Sequence, residues 1–296
     1  MTGQVLLFVH AHPDDESLAT GVALAHHARQ GHEVHVLTCT LGEEGEVIPA
    51  ELAHLASDRD DTLGPWRREE LRRAMAALGV RHRVLGEDPD RGVLSRWRDS
   101  GMAGTPTAAN PAAFANAGVD EVAALVADVV TELRPSVVVT YDEHGGYGHP
   151  DHIQTHRVTC AAVASLPEAA RPALYAVLTP RSWALEDRRW LAEHVPTSAG
   201  WQVPAPGDPY APSVVDDVVV THEVIDPDAV PAQEAALRAH RTQVSVGERC
   251  YALSNDIAAR LSGREGFALL DAETGALVPP PTGASRRTSL LPGAGA

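Results

Sequence analysis

The chain has 296 residues, 44% of them apolar and 22% charged, enough for one large domain or two modest ones. Its formal net charge of −16 repels phosphate backbones, so nucleic acid and anionic membranes are poor partners and a small neutral or cationic substrate is expected. The three scattered cysteines (Cys39, Cys160, Cys250) and a start without a basic n-region or long apolar stretch point to the reducing cytoplasm, and they exclude a disulfide framework or a cysteine-based zinc site.

In chain order, residues 5–9 (VLLFV) read as a strand buried on both faces. Residues 16–30 follow as an Ala- and Leu-rich helix stopped by Gly31. A second buried strand is expected at 34–39. A helix with proline in its first turn and Gly79 at its end follows at 65–78. Residues 83–85 form a short strand, 119–133 an amphipathic helix, 136–141 a strand and 150–164 a helix. This alternation predicts an α/β, Rossmann-like core over residues 1–185, with a mostly parallel sheet and helices on both faces. No GxGxxG follows the first strand, so a dinucleotide is not expected.

Residues 186–296 read as a smaller, irregular carboxyl-terminal subdomain packed on that core. The Trp- and Pro-rich stretch 180–216 is expected to be irregular. A strand at 214–220, a helix at 232–242 and a tail from about 279 that is mobile at its end complete the reading.

The chemistry concentrates in residues 10–16 (HAHPDDE) and 141–156 (YDEHGGYGHPDHIQTH). These 23 residues hold six of the 15 histidines, where uniform scatter puts about one. Each segment follows a predicted strand, and open α/β sheets bind ligands outside the carboxyl ends of their strands. Two imidazoles and a carboxylate form a divalent-metal site with a position left for water. The first segment offers His12 with Asp14 or Asp15, and the second offers His149 or His152. One aspartate can ligate while its neighbour acts as general base. His149 and His152 lie three apart, about one helical turn, and spacing alone does not assign their roles. The same ligand set occurs in non-haem Fe(II) oxygenases, but the second adjacent carboxylate favours hydrolysis. A blander alternative is that His-Pro-Asp only caps a helix. His26, His27, His32, His35, His54, His82, His194, His222 and His240 are expected to be surface or packing histidines.

The pair HPDDE (12–16) and HPDH (149–152) resembles the LmbE-like (PIG-L) family of zinc-dependent N-deacetylases, which act on N-acetylglucosaminyl compounds. Segments 40–47 (TLGEEGEV), 97–104 (WRDSGMAG) and 145–152 (GGYGHPDH) are similar to one actinobacterial branch of it. That branch hydrolyses the acetamide of N-acetylglucosaminyl-inositol to glucosaminyl-inositol and acetate in mycothiol biosynthesis. A neighbouring branch, the mycothiol S-conjugate amidases, shares the metal motifs, but Gly148 and the WRDSGMAG run favour the deacetylases. Segment 86–95 (GEDPDRGVLS) and the proline-rich tail match neither.

The resemblance implies that His12, Asp15 and His152 bind one Zn2+, with Fe2+ as an alternative ion. It makes Asp14 the general base. It also implies that His149, if protonated, stabilises the oxyanion with Asp151 orienting it, and that Tyr147 donates to the same oxygen. Arg67, Asp99 and Glu46 become contacts to sugar and inositol hydroxyls. Against this, Arg67 could lie on a solvated face with Arg68, Arg72 and Arg73, Asp99 could pair with Arg98, and Tyr147 could simply pack its loop.

Overall fold

The structure, a computed structural model, describes residues 3–281 and 283–293. The first apolar run forms β1 (Val5–His10), followed by α1 (Asp15–Ala19), α2 (Gly21–Arg29), β2 (Glu33–Thr38) and α3 (Leu63–Leu78). Next come β3 (Arg81–Val84), α4 (Val119–Leu133) and β4 (Val137–Thr140). A short glycine-rich turn, α5 (Gly145–Gly148), leads into α6 (Pro150–Ala164), β5 (Ala173–Pro180) and α7 (Arg181–His194). The rest contains β6 (Val214–Val215), β7 (His222–Ile225), α8 (Val230–Ala239), β8 (Ser245–Val246), β9 (Cys250–Ala252), β10 (Ala258–Arg260) and β11 (Arg264–Leu269).

The main sheet has the order β3-β2-β1-β4-β5-β11-β7, with β6 beside the end of β5. From β3 to β5 the strands are parallel, and β11 runs antiparallel to both its neighbours. This is the expected α/β architecture. Side chains alternate along β1, so Leu6 and Phe8 pack with Leu24 of α2 and Leu71 and Met75 of α3. Leu7 and Val9 point the other way, to Val126 of α4 and Val158 of α6. Burial on both faces explains why the strand is apolar throughout. From β1 the chain passes to β2 on one side and later to β4 on the other. The carboxyl ends of β1 and β4 therefore open onto one crevice at the switch in strand order.

Several elements depart from expectation. The helix expected at 16–30 is two helices, because Thr20 leaves helical geometry at φ −137° and its hydroxyl donates back to the Glu16 carbonyl at 3.0 Å. Glu265 of β11 then caps the new helix, accepting the N–H groups of Val22 and Ala23 at 2.8 Å each. The stretch expected to be irregular begins with α7, and the strand expected at 214–220 shrinks to two residues before a 3-10 turn. The division drawn at residue 185 falls inside α7, while β7 and β11 continue the main sheet. Strands β8, β9 and β10 form a separate small antiparallel sheet.

Part of the tail is docked. The backbone of Arg287 pairs with Thr221 and Glu223, and fully buried Leu290 accepts the Tyr175 hydroxyl at 3.2 Å. The last three residues of the tail, 294–296, lie outside the described residues. No helix among the described residues is long and apolar enough to cross a membrane.

Candidate active site

Beyond His10 the chain turns over the end of β1, and the Asp15 carboxylate closes this turn by accepting the His12 N–H at 2.9 Å. Asp15 Oδ2 also lies 3.4 Å from His12 Nδ1 and 3.3 Å from His152 Nε2. Gly145 lets α6 come this close, since a Cβ there would meet His152 Cβ and Ile153 N at 2.7 Å each. Tyr141 stacks on the His152 ring at 4.3 Å and fixes its plane. His152 Nε2 is buried and has no hydrogen-bond partner among the described residues.

This donor set fits a divalent metal. Tetrahedral ligands about 2.0–2.1 Å from an ion stand roughly 3.3 Å from one another. His12, His149 and His152 also bring ring nitrogens within 4.8 Å of each other.

The second nitrogen of His12 is held from behind. Its Nε2 faces Asp151 Oδ2 at 3.1 Å and Asp99 Oδ1 at 3.4 Å. Both carboxylates are already engaged. Asp151 accepts the Ser100 N–H at 2.9 Å and the Ser100 hydroxyl, and Asp99 accepts the Gly101 N–H at 2.8 Å. They keep a proton on Nε2 and turn Nδ1 toward Asp15, as an outer carboxylate does for a ligating histidine. Burial would lower the His12 imidazole, but Asp99, Asp15 and Asp151 overcome it and hold it well above the ordinary histidine range. Burial likewise opposes the charge on Asp15, yet His152 and His12 hold its carboxyl well below the ordinary range. The cluster therefore favours positive charge at its centre.

Asp14 stands beside this centre with φ 108° and ψ −35°, a backbone conformation that costs a residue with a side chain about 1–3 kcal/mol. Its carbonyl accepts the N–H groups of Ser17 and Leu18 at 3.0 and 2.9 Å, and its own N–H donates to Glu16 Oε2 at 3.0 Å. Arg67 of α3 braces the same turn. It donates to the Gly42 carbonyl at 2.7 Å and to the Pro13 carbonyl, and lies 3.3 Å from Asp14 Oδ2. Burial pushes the Asp14 carboxyl up to about 6, against the pull of Arg67 and with the help of Asp15. A carboxylate in that range exchanges protons readily near neutral pH.

His149 caps α6, its Nδ1 accepting the Asp151 N–H at 3.2 Å. Its own proton is therefore on Nε2, which points toward Asp99 Oδ1 at 4.0 Å. Burial, with His12 and His152 close by, pushes this imidazole down to about 3. The surroundings of His149 thus disfavour its protonated form, and, contrary to expectation, the Asp151 carboxylate faces His12 while only its backbone N–H reaches His149.

Tyr147 sits on the rim, 54% exposed, with its ring 5.0 Å from His152. Arg67 is buried, while Arg68 pairs with Glu87 and both Arg72 and Arg73 pair with Glu69, so Arg67 is not part of a solvated face. Arg98 pairs with Glu44 and Asp61, leaving Asp99 to face the histidines. Glu46 is exposed, and among the described residues only its backbone carbonyl is tied down, by Gln243 Nε2 at 3.1 Å. Sequence reasoning passed over Ser100, although it stands inside the WRDSGMAG run. It also passed over His240, which no local pattern marks. His240 is fully buried with Nε2 2.8 Å from Glu16 Oε1. Beside the cluster lies a cavity of about 370 Å³, lined in part by Tyr147, His152, Leu178, Trp183 and Tyr251.

Residues 7–163 match the family model of the GlcNAc-PI de-N-acetylases (PIG-L), a span that covers more than half the chain and contains all ten residues expected at the site. The 1D-myo-inositol 2-acetamido-2-deoxy-alpha-D-glucopyranoside deacetylase of Thermomonospora curvata is 47% identical over 94% of each chain. The enzyme of the same name from Rhodococcus jostii is 49% identical over 93% of this chain and 94% of its own. Among solved structures, N,N'-diacetylchitobiose deacetylase from Pyrococcus horikoshii is 18% identical with a TM-score of 0.49, over 81% of this chain and 71% of that one. With both histidine segments inside the matched span and similarity to these relatives running nearly end to end, the chain belongs to the GlcNAc-PI de-N-acetylase (PIG-L) family.

Proposed function

We propose that the protein is a zinc-dependent deacetylase that hydrolyses the acetamide of N-acetylglucosaminyl-inositol, releasing acetate and glucosaminyl-inositol for mycothiol biosynthesis. The observation that carries this reading is the convergence of His12 Nδ1 and His152 Nε2 on Asp15 Oδ2, with Asp14 alongside. The substrate follows from relatives 47% and 49% identical over nearly the full chain. His12, Asp15 and His152 hold the ion. When bound, it supplies Lewis acidity toward the amide carbonyl and brings the pKa of water to about 7.

The protein's own groups do the rest. Asp14 takes the proton from the attacking water and later returns one to the leaving amine, which would otherwise be a poor leaving group. His149 Nε2–H donates to the carbonyl oxygen as negative charge develops there, and the Tyr147 hydroxyl adds a second donor from the rim. A neutral donor suffices for this role, because its direction is set in advance by the Asp151 N–H. Asp151 holds His12 in register. Arg67 has five N–H donors, of which the two carbonyls and Asp14 engage three. It braces the base and offers a remaining N–H to a sugar hydroxyl, while Asp99 and Glu46 receive the other hydroxyls. We place the enzyme in the cytoplasm, in keeping with three buried, free cysteines.

Acetate release from N-acetylglucosaminyl-inositol by zinc-loaded protein, measured beside cleavage of a mycothiol S-conjugate, tests the assignment. Faster cleavage of the conjugate would move the enzyme to the amidases. Activity that needs O2 and a cosubstrate would make it an oxygenase.

A further inference from the structure

Glu16 is the one carboxylate of the HPDDE segment with no part in the reaction above, and it is completely buried. Its oxygens are divided between two tasks. Oε1 accepts the Ser17 hydroxyl at 2.6 Å and meets His240 Nε2 at 2.8 Å, while Oε2 accepts the Asp14 N–H at 3.0 Å. His240 follows α8 directly and reaches Glu16 across 224 residues of sequence. Its other ring nitrogen is buried without a partner among the described residues, so Glu16 is the only polar group its side chain touches there.

We propose that His240 is a positioning residue which, through Glu16, holds the strained Asp14 backbone so that the Asp14 carboxylate points at the reacting water. The inference rests on Asp14 being the general base. A residue with a Cβ stays at φ 108° only where its surroundings over-determine it. Two amides hold the Asp14 carbonyl, but a single group, Glu16, holds its N–H. Without His240, Glu16 keeps only the Ser17 hydroxyl and the Asp14 N–H among the described residues, and a buried carboxylate left short of a partner is strongly unfavourable. Glu16 then turns away and releases the Asp14 N–H.

The placement of His240 is fixed from both sides. Gln233 of α8 donates to the Ser17 carbonyl at 2.9 Å, tying that helix to α1. Just beyond His240, the N–H and hydroxyl of Thr242 donate to Glu70 of α3 at 3.0 and 2.7 Å. Since α3 carries Arg67, one turn of the carboxyl-terminal segment sets both residues that grip Asp14.

The test compares His240→Leu, which removes the donor at similar volume, with His240→Gln, whose amide nitrogen reaches the place of Nε2. In zinc-loaded protein His240→Leu is expected to lose about 10²-fold in kcat, the size of a misplacement of roughly 1 Å. KM and bound zinc stay unchanged, and His240→Gln restores most of the rate. A crystal structure of His240→Leu shows Asp14 relaxed away from φ 108°. If the leucine variant does not fold, His240→Asn, whose amide ends a bond short of Glu16, takes its place against His240→Gln.

Unchanged kcat in the leucine variant, an Asp14 backbone that keeps its conformation, or equal losses in both variants overturns the proposal. So does a fall in bound zinc, or a rise in KM matching the fall in kcat, since either marks a general disturbance. Failure of the deacetylase reading shows separately, as wild-type protein that releases no acetate, and leaves the backbone comparison to decide.

Discussion

Replacing His27 by leucine measures what one unpartnered imidazole does to stability as pH falls. His27 lies on α2, is 1% exposed, and neither ring nitrogen has a hydrogen-bond partner among the described residues. His26 and His32 stand 5.1 and 5.7 Å away, centroid to centroid. Burial, reinforced by these two rings, pushes the His27 imidazole from 6.5 down to about 3. A lowered value in the folded state means that the unfolded chain binds the proton more tightly. The contribution is therefore harmless above pH 6.5 and destabilises progressively as pH falls from there toward 3. At about pH 5 this one group lowers the stability of the folded state by roughly 2 kcal/mol, taking about 1.4 kcal/mol for each pH unit below 6.5.

Leucine of similar volume removes this proton linkage. It also removes two unsatisfied nitrogens, which adds about 1–3 kcal/mol of stability near neutrality. Urea unfolding of both proteins at about pH 7.5 and about pH 5, at one fixed zinc concentration, gives the two differences. The stability gap between His27→Leu and wild type should widen by about 2 kcal/mol at the lower pH. A gap that stays constant between the two pH values would refute the argument, since any effect of shape alone is independent of pH.

Four further outcomes follow from the site and the tail. Asp15→Ala loses bound zinc while Asp14→Ala keeps it and loses turnover, as zinc analysis beside an acetate assay will show; equal retention reverses the two roles. His149→Ala lowers kcat by about 10²–10³ with zinc retained, and loss of the ion would instead make His149 a ligand. Asp151→Ala weakens zinc binding by about 10–100-fold in a chelator titration, because His12 loses the group that orients it. Leu290→Ala destabilises the fold by about 2–5 kcal/mol in urea unfolding, and a negligible change would show that the tail does not pack as described.

The strands and helices up to residue 164 could be read because their signals are local. The continuous apolar run of β1, Gly79 at the end of α3 and Pro150 at the start of α6 each mark an element without reference to distant residues. The break at Thr20 could not be read, because Glu265, nearly 250 positions later, supplies the cap that starts α2. The place of the candidate site was legible for the same reason as the strands, since each histidine segment follows a strand directly. The roles of its residues were less so. Which ring nitrogen of His149 carries its proton depends on the Asp151 N–H, and which histidine Asp151 serves depends on Ser100, a residue from a different loop. His240 stayed hidden because a lone histidine after a helix looks the same whether it faces solvent or a buried carboxylate.

The lateness of Glu265 in the chain bears on how the protein is made. Translation delivers the amino end first, so the whole span carrying both histidine segments emerges well before β11. Until then β5 is left as a bare edge open to pairing with other nascent chains, and α2 lacks the carboxylate that starts it. Polypeptides released early, near residue 185, are thus expected to be inert and prone to clump, and the enzyme gains its working form only once β11 has left the ribosome.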